Sequence, residues 1–213
     1  TGKKLEDISG YHLLKRSIDA RSRQQVWMNL TVQAFINEPF HPRNIEPVSF
    51  KDVANSTKKV IIIGAGPAGL FAALKLIEAS ICPIILERGK DVRSRRRDLA
   101  KLNKEGIVDP ESNYCFGEGG AGTYSDGKLY TRSTKRGDIH RILNLLYQFG
   151  ANESVLFDAH PHIGTNKLPH IITAMREQIR NSGGQFLFEK KVVDFIIENE
   201  NIKGVHTADG DTI

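Results

Sequence analysis

One stretch, residues 59–88, constrains the fold of this chain more than any other: KVIIIGAGPAGLFAALKLIEASICPIILER. It opens with four β-branched residues, Val60 to Ile63, which predict a strand that is buried on both faces. Gly64, Gly66 and Gly69 follow with the G-x-G-x-x-G spacing of a dinucleotide-binding turn. In such a turn the first glycine permits the bend, the second lets the backbone approach a pyrophosphate, and the third lets the helix pack on the strand.

The residues after this turn predict a helix and a second strand. Residues 70–79 carry apolar side chains at i, i+3, i+4 and i+7, which is typical of a helix with one buried stripe. The strand Pro83 to Leu86 ends at Glu87, 18 positions after Gly69. A carboxylate there can accept hydrogen bonds from both hydroxyls of an adenosine ribose, and it would repel a 2′-phosphate. Because strand, turn, helix, strand and acid occur in this order, the stretch favours a dinucleotide site over a βαβ turn that binds no phosphate.

Composition indicates an ordinary globular protein. The 213 residues are 39% hydrophobic and 26% charged, with a net charge of +5 that favours anionic ligands without requiring nucleic acid. The two cysteines, Cys82 and Cys115, are far apart and suggest neither zinc nor a redox dithiol, so packing residues in a reducing cytosol are expected. No apolar run approaches the roughly 18 residues of a membrane span, and no signal peptide opens the chain, so a cytoplasmic location is predicted.

The segment before the glycine turn predicts a separate small unit. Two apolar segments, residues 11–20 and 25–36, flank a polar turn and indicate two antiparallel strands of a small α+β domain. Four basic residues make this hairpin a candidate surface for RNA or an acidic partner, although a solvated sheet face is favoured: Lys15, Arg16, Arg21 and Arg23. Prolines 39, 42 and 47 mark an extended linker. The predicted domains are therefore residues 1–50 and 51–213.

A second glycine-rich stretch, residues 113–132, indicates a loop beside a ligand. Four of its glycines fall within six positions, a density that excludes regular helix or strand: Gly117, Gly119, Gly120 and Gly122. Hydroxyl and charged side chains follow immediately, at Thr123, Tyr124, Ser125, Asp126 and Lys128. Because flexible linkers lack such interleaved aromatic and charged residues, a second ligand-contacting loop is favoured over a linker.

The remaining segments predict three helices and a run of strands. Helical periodicity covers residues 89–104, 136–149 and 168–181, and the arginines of the first of these indicate a solvated flank, with a pyrophosphate contact as the alternative. Period-two and apolar runs at residues 186–188, 192–197 and 203–207 predict a strand followed by an antiparallel hairpin or meander. His160, His162 and Asp158 could form a metal site, but the intervening proline and the lack of a fourth ligand disfavour it. The chain stops just after a turn, where another strand is expected.

Two of these motifs resemble a known family. GAGPAGLFAALKL followed by ILERG is similar to the FAD-binding fingerprint of flavoproteins of the glutathione-reductase structural type. FGEGGAGTYSDGKLYTR and DAHPHIGTNKLP resemble a more specific group, the largely uncharacterised FAD-dependent dehydrogenases of bacteria. The resemblance covers most of the chain from Lys59 onward, and the basic hairpin resembles the small domain that precedes the flavin fold in that group. Those proteins are about twice this length, so the chain resembles their N-terminal part.

The resemblance implies a fold and a cofactor. The fold is α/β: a Rossmann-like, three-layer FAD-binding domain with a parallel sheet and an antiparallel β-meander, preceded by the small α+β hairpin domain. The implied cofactor-binding residues are Gly64, Ala65, Gly66, Pro67, Ala68, Gly69, Glu87, Arg88, Gly119, Gly120, Gly122, Thr123, Ser125 and Val193, where Val192 is the alternative to Val193 as the backbone contact to adenine. The chain has no C-x-x-x-x-C redox pair and no second G-x-G-x-x-G, so disulfide reduction is disfavoured and NAD(P)H, if it is the electron donor, would use another surface.

The sequence therefore predicts an FAD-dependent oxidoreductase that passes a hydride or electrons through the flavin to an unidentified substrate. Asp126 and Lys128 are the catalytic candidates, since a cation near the flavin can stabilise negative charge, although a surface ion pair explains them equally well. Two alternatives stay open: a flavoprotein involved in RNA modification, with RNA on the basic hairpin, and a module that binds an adenine dinucleotide without turnover.

Overall fold

A computed structural model describes residues 2, 4–124, 127–128, 137–164 and 166–213. The chain divides into two compact units, of which the first comprises Thr1–Val48 and Lys128–Gly164 and the second Ser49–Gly127 and Thr165–Ile213. The predicted boundary near residue 50 did not anticipate that Lys128–Gly164 groups with the first unit, because sequence periodicity carries no information about which distant segments pack together. As a statement about independently folding domains, the division into 1–50 and 51–213 stays a prediction.

The first unit is built on a long antiparallel hairpin. Strands β1 (Ile8–Asp19) and β2 (Trp27–Ile36) pair in antiparallel register, with irregularities between Ile8 and Gly10 and between Leu13 and Lys15. Helix α3 (Ile139–Gln148) and a short 3₁₀ helix (Glu153–Leu156) complete this unit. The hairpin predicted for residues 11–36 is confirmed.

Two of the four basic residues on this hairpin are ion-paired. The Arg16 guanidinium donates two hydrogen bonds to the Asp158 carboxylate, at 2.7 and 3.0 Å. The Arg21 guanidinium makes the same paired contact with Asp19. Asp158, which the sequence offered as a metal ligand beside His160 and His162, is therefore held by Arg16. Within the described ranges, no group of three His, Cys, Asp or Glu side chains is placed to hold a metal ion.

The second unit contains a parallel sheet of three strands with helices packed around it. Strands β3 (Lys59–Ile63), β4 (Cys82–Leu86) and β5 (Gln185–Leu187) are parallel, in the order β3–β4–β5. Helix α1 (Pro67–Glu78) packs against β3 and β4, α4 (Leu168–Asn181) packs against β5 and α1, and α2 (Val92–Glu105) packs against α4. An antiparallel hairpin of β6 (Val192–Glu198) and β7 (Asn201–Thr207) follows. The α/β class, the parallel sheet and the antiparallel pair are thus confirmed, whereas the glutathione-reductase type of domain goes further and stays a prediction.

The core of this unit lies between the sheet and helices α1 and α4. The apolar stripe predicted for α1 is buried as expected, at Leu70, Ala73, Leu74 and Ile77. It packs against β4 and α4, and α4 contributes Ile171, Met175 and Ile179 to the same core. The third glycine of the motif allows this packing, since a Cβ at Gly69 would lie only 2.1 Å from the Gly64 carbonyl oxygen.

The prediction that the first strand is buried on both faces is wrong. In β3, Val60 is 38% exposed and Ile63 is 53% exposed, whereas β4 is buried along almost its whole length. The reason is strand order: β4 lies between two neighbours, and β3 is at the edge of the three-stranded sheet. In a doubly wound sheet, another strand would pair along that edge and cover these side chains. None of the described helices combines the length and the apolar character needed to cross a membrane.

Candidate functional site

The glycine turn between β3 and α1 leaves its outer side open. Gly64 has φ +99°, a conformation that favours glycine, and its N–H donates to the Leu86 carbonyl at 2.7 Å. Gly66 is the N-cap of α1, and no atom would lie within 4 Å of a Cβ added at either glycine. The first turn of a helix has amides without partners inside the helix, and these attract anions. The turn therefore leaves open space beside the N-terminus of α1.

Glu87 is the buried acid of this turn. Its side chain is 4% exposed, and its two carboxylate oxygens accept hydrogen bonds from the N–H groups of Ala65 and Gly89, each at 2.8 Å. The carboxylate therefore ties the end of β4 to the glycine turn. An ionised carboxylate has about four acceptor positions, so each oxygen retains a lone pair after these bonds. Glu87 is fixed in place and can still accept hydrogen bonds from a ligand.

The second glycine-rich stretch packs directly against the first. The Gly119 N–H donates to the Ala65 carbonyl at 2.8 Å. A Cβ added at Gly120 would lie 3.3 Å from the Pro67 ring and 3.6 Å from the Gly66 Cα. Such an approach of two backbones requires small residues on both sides. The sequence predicted a second ligand-contacting loop, and the structure brings the two glycine segments together.

A buried arginine holds this second loop in shape. Arg95 lies on α2 at zero exposure, and its guanidinium donates to the carbonyls of Glu118 and Gly120, both at 2.8 Å. It also donates to the carbonyls of Asn113 (2.9 Å) and Tyr114 (3.1 Å). The expectation that the arginines of this helix form a solvated flank is wrong for Arg95. The burial of Arg95 was predictable from helical periodicity, because this residue lies on the same stripe of α2 as Val92 and Leu99, which are both buried.

A buried carboxylate adjoins the same loop. Glu118 has zero exposure; its Oε2 accepts from the Val92 N–H at 2.8 Å and from the Arg176 guanidinium at 2.7 Å. Its other oxygen, Oε1, is buried and has no partner among the described residues. Burial raises the pKa of Glu118 to about 7, because the charged form loses its hydration. Sequence reasoning missed this residue, since a glutamate in a glycine loop carries no pattern that signals burial.

The two glycine segments and Glu87 line one cleft. Its volume is about 330 Å³. The lining residues come from the turn, the end of β4, the second loop and the start of β6: Ile63, Gly64, Gly66, Leu86, Glu87, Arg88, Cys115, Phe116, Gly117, Gly120, Lys190, Lys191 and Val192. At one side, the Arg88 guanidinium lies 4.0 Å from the centre of the Phe116 ring and pairs with Glu111. We call this the glycine cleft.

The residues predicted to bind a cofactor fall into three groups. Five of them line the glycine cleft: Gly64, Gly66, Glu87, Arg88 and Gly120. A second group does not line the cleft but supports the turn, the second loop or the start of α1. Within it, Ala65, Gly69, Gly119 and Thr123 hold the turn and the loop together, and Pro67 and Ala68 form the first turn of α1. Gly122 is exposed, and Val193 is 57% exposed while its neighbour Val192 lines the cleft.

The predicted catalytic pair cannot be placed as a pair. Asp126 lies outside the described residues, as does Ser125 from the cofactor set. Lys128 belongs to the first unit, where it forms an isolated antiparallel bridge with His162. A catalytic role for Asp126 and Lys128 therefore stays a prediction.

Comparison with known proteins gives partial matches. A family model described as a domain of unknown function (DUF8436) matches residues 1–35, which is most of the β1–β2 hairpin. An uncharacterised protein from Clostridium beijerinckii is 33% identical over 213 residues; the match covers 94% of this chain and 40% of that protein. The chain therefore spans about 40% of the length of this relative.

Solved structures resemble the chain only weakly. The Diels-Alderase PyrE3 from pyrroindomycin biosynthesis is 18% identical, with a TM-score of 0.40 over 74% of this chain and 30% of that one. L-proline dehydrogenase from P. horikoshii is 16% identical, with a TM-score of 0.36 over 76% of this chain and 50% of that one. Similarity at this level establishes neither a common function nor a common domain type.

Proposed function

We propose that this chain forms the FAD-binding part of an FAD-dependent oxidoreductase and holds FAD in the glycine cleft. The observation that carries the proposal is the meeting of two glycine segments at an open cleft with a buried, fixed carboxylate at its edge. The space over Gly64 and Gly66 is free, and Glu87 lines the cleft with one acceptor position left on each carboxylate oxygen. These residues fit the adenosine and pyrophosphate half of the cofactor.

The charges around the cleft support a dinucleotide with free ribose hydroxyls. Amide donors at the start of α1 suit the pyrophosphate, and the Glu87 carboxylate suits hydroxyl donors and repels a 2′-phosphate. The nearby cations already have carboxylate partners: Lys190 pairs with Asp209 and Asp211, and Lys191 pairs with Glu111 at 2.8 Å. The cleft therefore offers backbone groups rather than unpaired cations to a phosphate.

FAD, when bound, would supply hydride or electron transfer, while the chain binds and orients it. Arg95 and Glu118 act on the chain itself, because they fix the second glycine loop against the turn. Asp126 and Lys128 are proposed as the groups that assist the reaction, and NAD(P)H is proposed as an external electron donor. The substrate is a small molecule or a redox partner whose identity lies beyond this site.

A ligand panel tests the binding half of the proposal. The protein is titrated with FAD, ADP, FMN, NAD and NADP, and binding is followed by flavin fluorescence or calorimetry. FAD and ADP are expected to bind and to compete, FMN is expected to bind at least tenfold more weakly because it lacks the adenosine half, and NADP more weakly than NAD. Equal binding of FMN and FAD, or no binding of either FAD or ADP, would refute the assignment of the cleft.

The redox half needs a separate readout. The FAD-loaded protein is mixed anaerobically with NADH or NADPH, and the flavin absorbance is recorded. Loss of the absorbance band supports an oxidoreductase that uses such a donor. Tight nucleotide binding with no redox response to these donors, or to a panel of reduced small molecules, would favour the non-catalytic alternative.

A further inference from the structure

The second unit has another groove, which shares no lining residue with the glycine cleft. It lies between helices α2 and α4 and has a volume of about 330 Å³. Polar and basic side chains form most of its wall: Arg93, Arg96, Tyr124, Asn166, His170 and Thr173. None of the described residues that line it carries a carboxylate. We call it the arginine groove.

Two arginines in this groove have no carboxylate partner in the part of the chain that the structure describes. Most other arginines near α2 and α4 have a partner: Arg88 pairs with Glu111, Arg176 with Glu118, Arg180 with Glu177, and Arg95 with loop carbonyls. Arg97, on α2, is exposed and does not line the groove. Among the described residues, no carboxylate pairs with the guanidinium of Arg93 or of Arg96. They are three positions apart on one helix, so their side chains are neighbours on one face.

The placement of these arginines is locally unfavourable. They lie in the first two turns of α2; the first turn itself contains no acidic residue, but the N-cap is Asp91, whose carboxylate accepts hydrogen bonds from the Arg93 and Ser94 N–H groups. Cations near a helix N-terminus oppose the helix dipole, and like charges at this spacing repel each other. The Asp91 carboxylate offsets the conflict with the helix dipole, so the repulsion between the two arginines is what has no carboxylate partner among the described residues, and such a local conflict is typical of a functional position.

The facing helix supplies uncharged or weakly basic hydrogen-bonding groups. His170 and Thr173 are also three positions apart, on α4, and Asn166 precedes that helix. The Thr173 hydroxyl donates to the Pro169 carbonyl at 2.9 Å, and the Tyr124 hydroxyl donates to the Val92 carbonyl, so both side chains are held in fixed orientations. The groove thus combines side chains in fixed orientations with two guanidinium groups that pair with no described carboxylate.

We propose that the arginine groove binds a small dianion that carries carboxylate or phosphate groups. A guanidinium group presents a planar fork of donors that matches the two oxygens of a carboxylate or a phosphate, and two such groups side by side suit a doubly charged ligand. The volume lies at the lower end of the range for small-molecule sites. This proposal does not depend on FAD in the glycine cleft, because the two sites share no lining residue.

Calorimetric titration at low ionic strength tests the proposal, with inorganic phosphate and malonate as probes and sodium chloride as the background. The variants are Arg93→Gln with Arg96→Gln, and, as a control with the same loss of charge, Lys101→Gln with Lys104→Gln. The control lysines are exposed and lie on the same helix, at least about 7.5 Å further along its axis. A third variant, Arg93→Lys with Arg96→Lys, keeps the charge and removes the planar fork.

We expect saturable binding of at least one probe by the unaltered protein. The affinity should fall by at least about tenfold in the glutamine variant and by about twofold or less in the lysine-site control. The arginine-to-lysine variant should show an intermediate loss of affinity. Binding of phosphate alone identifies a phosphate ester as the ligand class, and binding of malonate alone identifies a dicarboxylate. Absence of binding by the unaltered protein, or an equal loss in the glutamine variant and the control, would overturn the proposal. Unfolding curves and FAD affinity, measured on each variant, separate this result from misfolding and from failure of the glycine cleft.

Discussion

Gly66→Ala and Gly69→Ala form a matched pair that separates ligand binding from folding. Both changes add one methyl group within four positions of the same turn. The structure places the two methyl groups in opposite surroundings, since the space at Gly66 is open and the space at Gly69 is filled. We therefore expect Gly66→Ala to impair FAD binding with little loss of stability, and Gly69→Ala to lower stability directly.

The effect at Gly69 is set by a backbone clash. The added Cβ would lie 2.1 Å from the Gly64 carbonyl oxygen and 3.2 Å from the Ile62 Cγ2. The first of these atoms is backbone, so α1 must move away from β3. Overpacking of this kind costs about 1–3 kcal/mol, and the better helix propensity of alanine offsets about 1 kcal/mol of it. Because the clash is with backbone, we expect a cost at the upper end of this range, which leaves a net decrease of about 2 kcal/mol in the free energy of unfolding.

The effect at Gly66 is set by the ligand. Gly66 has φ −73°, a conformation that alanine adopts without strain. Alanine is a poorer N-cap than glycine, but it also reduces the conformational freedom of the unfolded chain, and these two effects oppose each other. We therefore expect the free energy of unfolding to stay within about 1 kcal/mol of the original. The methyl group would stand where the pyrophosphate approaches the amides. Losing one charge-assisted hydrogen bond costs about 1.5–3 kcal/mol, which is roughly a 10- to 150-fold loss in FAD affinity.

Urea unfolding and FAD titration of both variants provide the measurements. The reasoning is refuted if Gly69→Ala is as stable as the original protein, or if Gly66→Ala binds FAD with unchanged affinity. A Gly66→Ala protein that loses several kcal/mol of stability would also contradict the account, because it would mean that the space over the turn is filled.

Two further predictions concern the buried charges behind the second glycine loop. Arg95→Met leaves four or more loop acceptors without their donor, so we expect the free energy of unfolding to fall by at least about 3 kcal/mol. The control, Arg97→Met, changes an exposed position on the same helix and should alter that free energy by no more than about 0.5 kcal/mol. Equal effects of the two substitutions in urea unfolding would contradict the role of Arg95. Burial raises the pKa of Glu118 from 4.5 to about 7, so between these pH values the folded state keeps a proton that the unfolded chain releases. The stability that comes from this proton is complete below pH 4.5, and the free energy of unfolding decreases by about 3 kcal/mol as the pH rises through 7. Glu118→Gln should abolish this decrease. If the free energies of unfolding of the unaltered protein and of Glu118→Gln differ by the same amount at every pH from 4.5 to 8, Glu118 is not buried as described.

The parts of the fold that follow from local patterns were predictable from the sequence. The stripe that begins at Leu70 places α1 correctly, and the glycine pair that follows Ser182 ends α4 where it was expected. Gly69 was assigned to close helix packing, and the distance to Gly64 confirms it. These features depend on neighbours within about ten residues, which the sequence displays directly.

Features that depend on distant partners were not predictable in the same way. The exposure of Ile63 follows from strand order, and the burial of Glu118 follows from contacts with Val92 and Arg176, residues 26 and 58 positions away. Arg95 is an intermediate case, because its place on the buried stripe was visible but its carbonyl partners were not. In the candidate site, the backbone geometry of the glycine turn was predictable, whereas the charged residues that support it were not.

The most direct test of the account is the identity of the nucleotide that the purified protein carries or takes up. The absorbance spectrum of the protein is recorded after incubation with FAD and removal of the excess, and the nucleotide released by denaturation is identified by mass spectrometry. The account predicts a flavin spectrum and the release of intact FAD, with both reduced strongly in Gly66→Ala. A colourless protein that releases no adenine nucleotide would contradict the assignment of the glycine cleft.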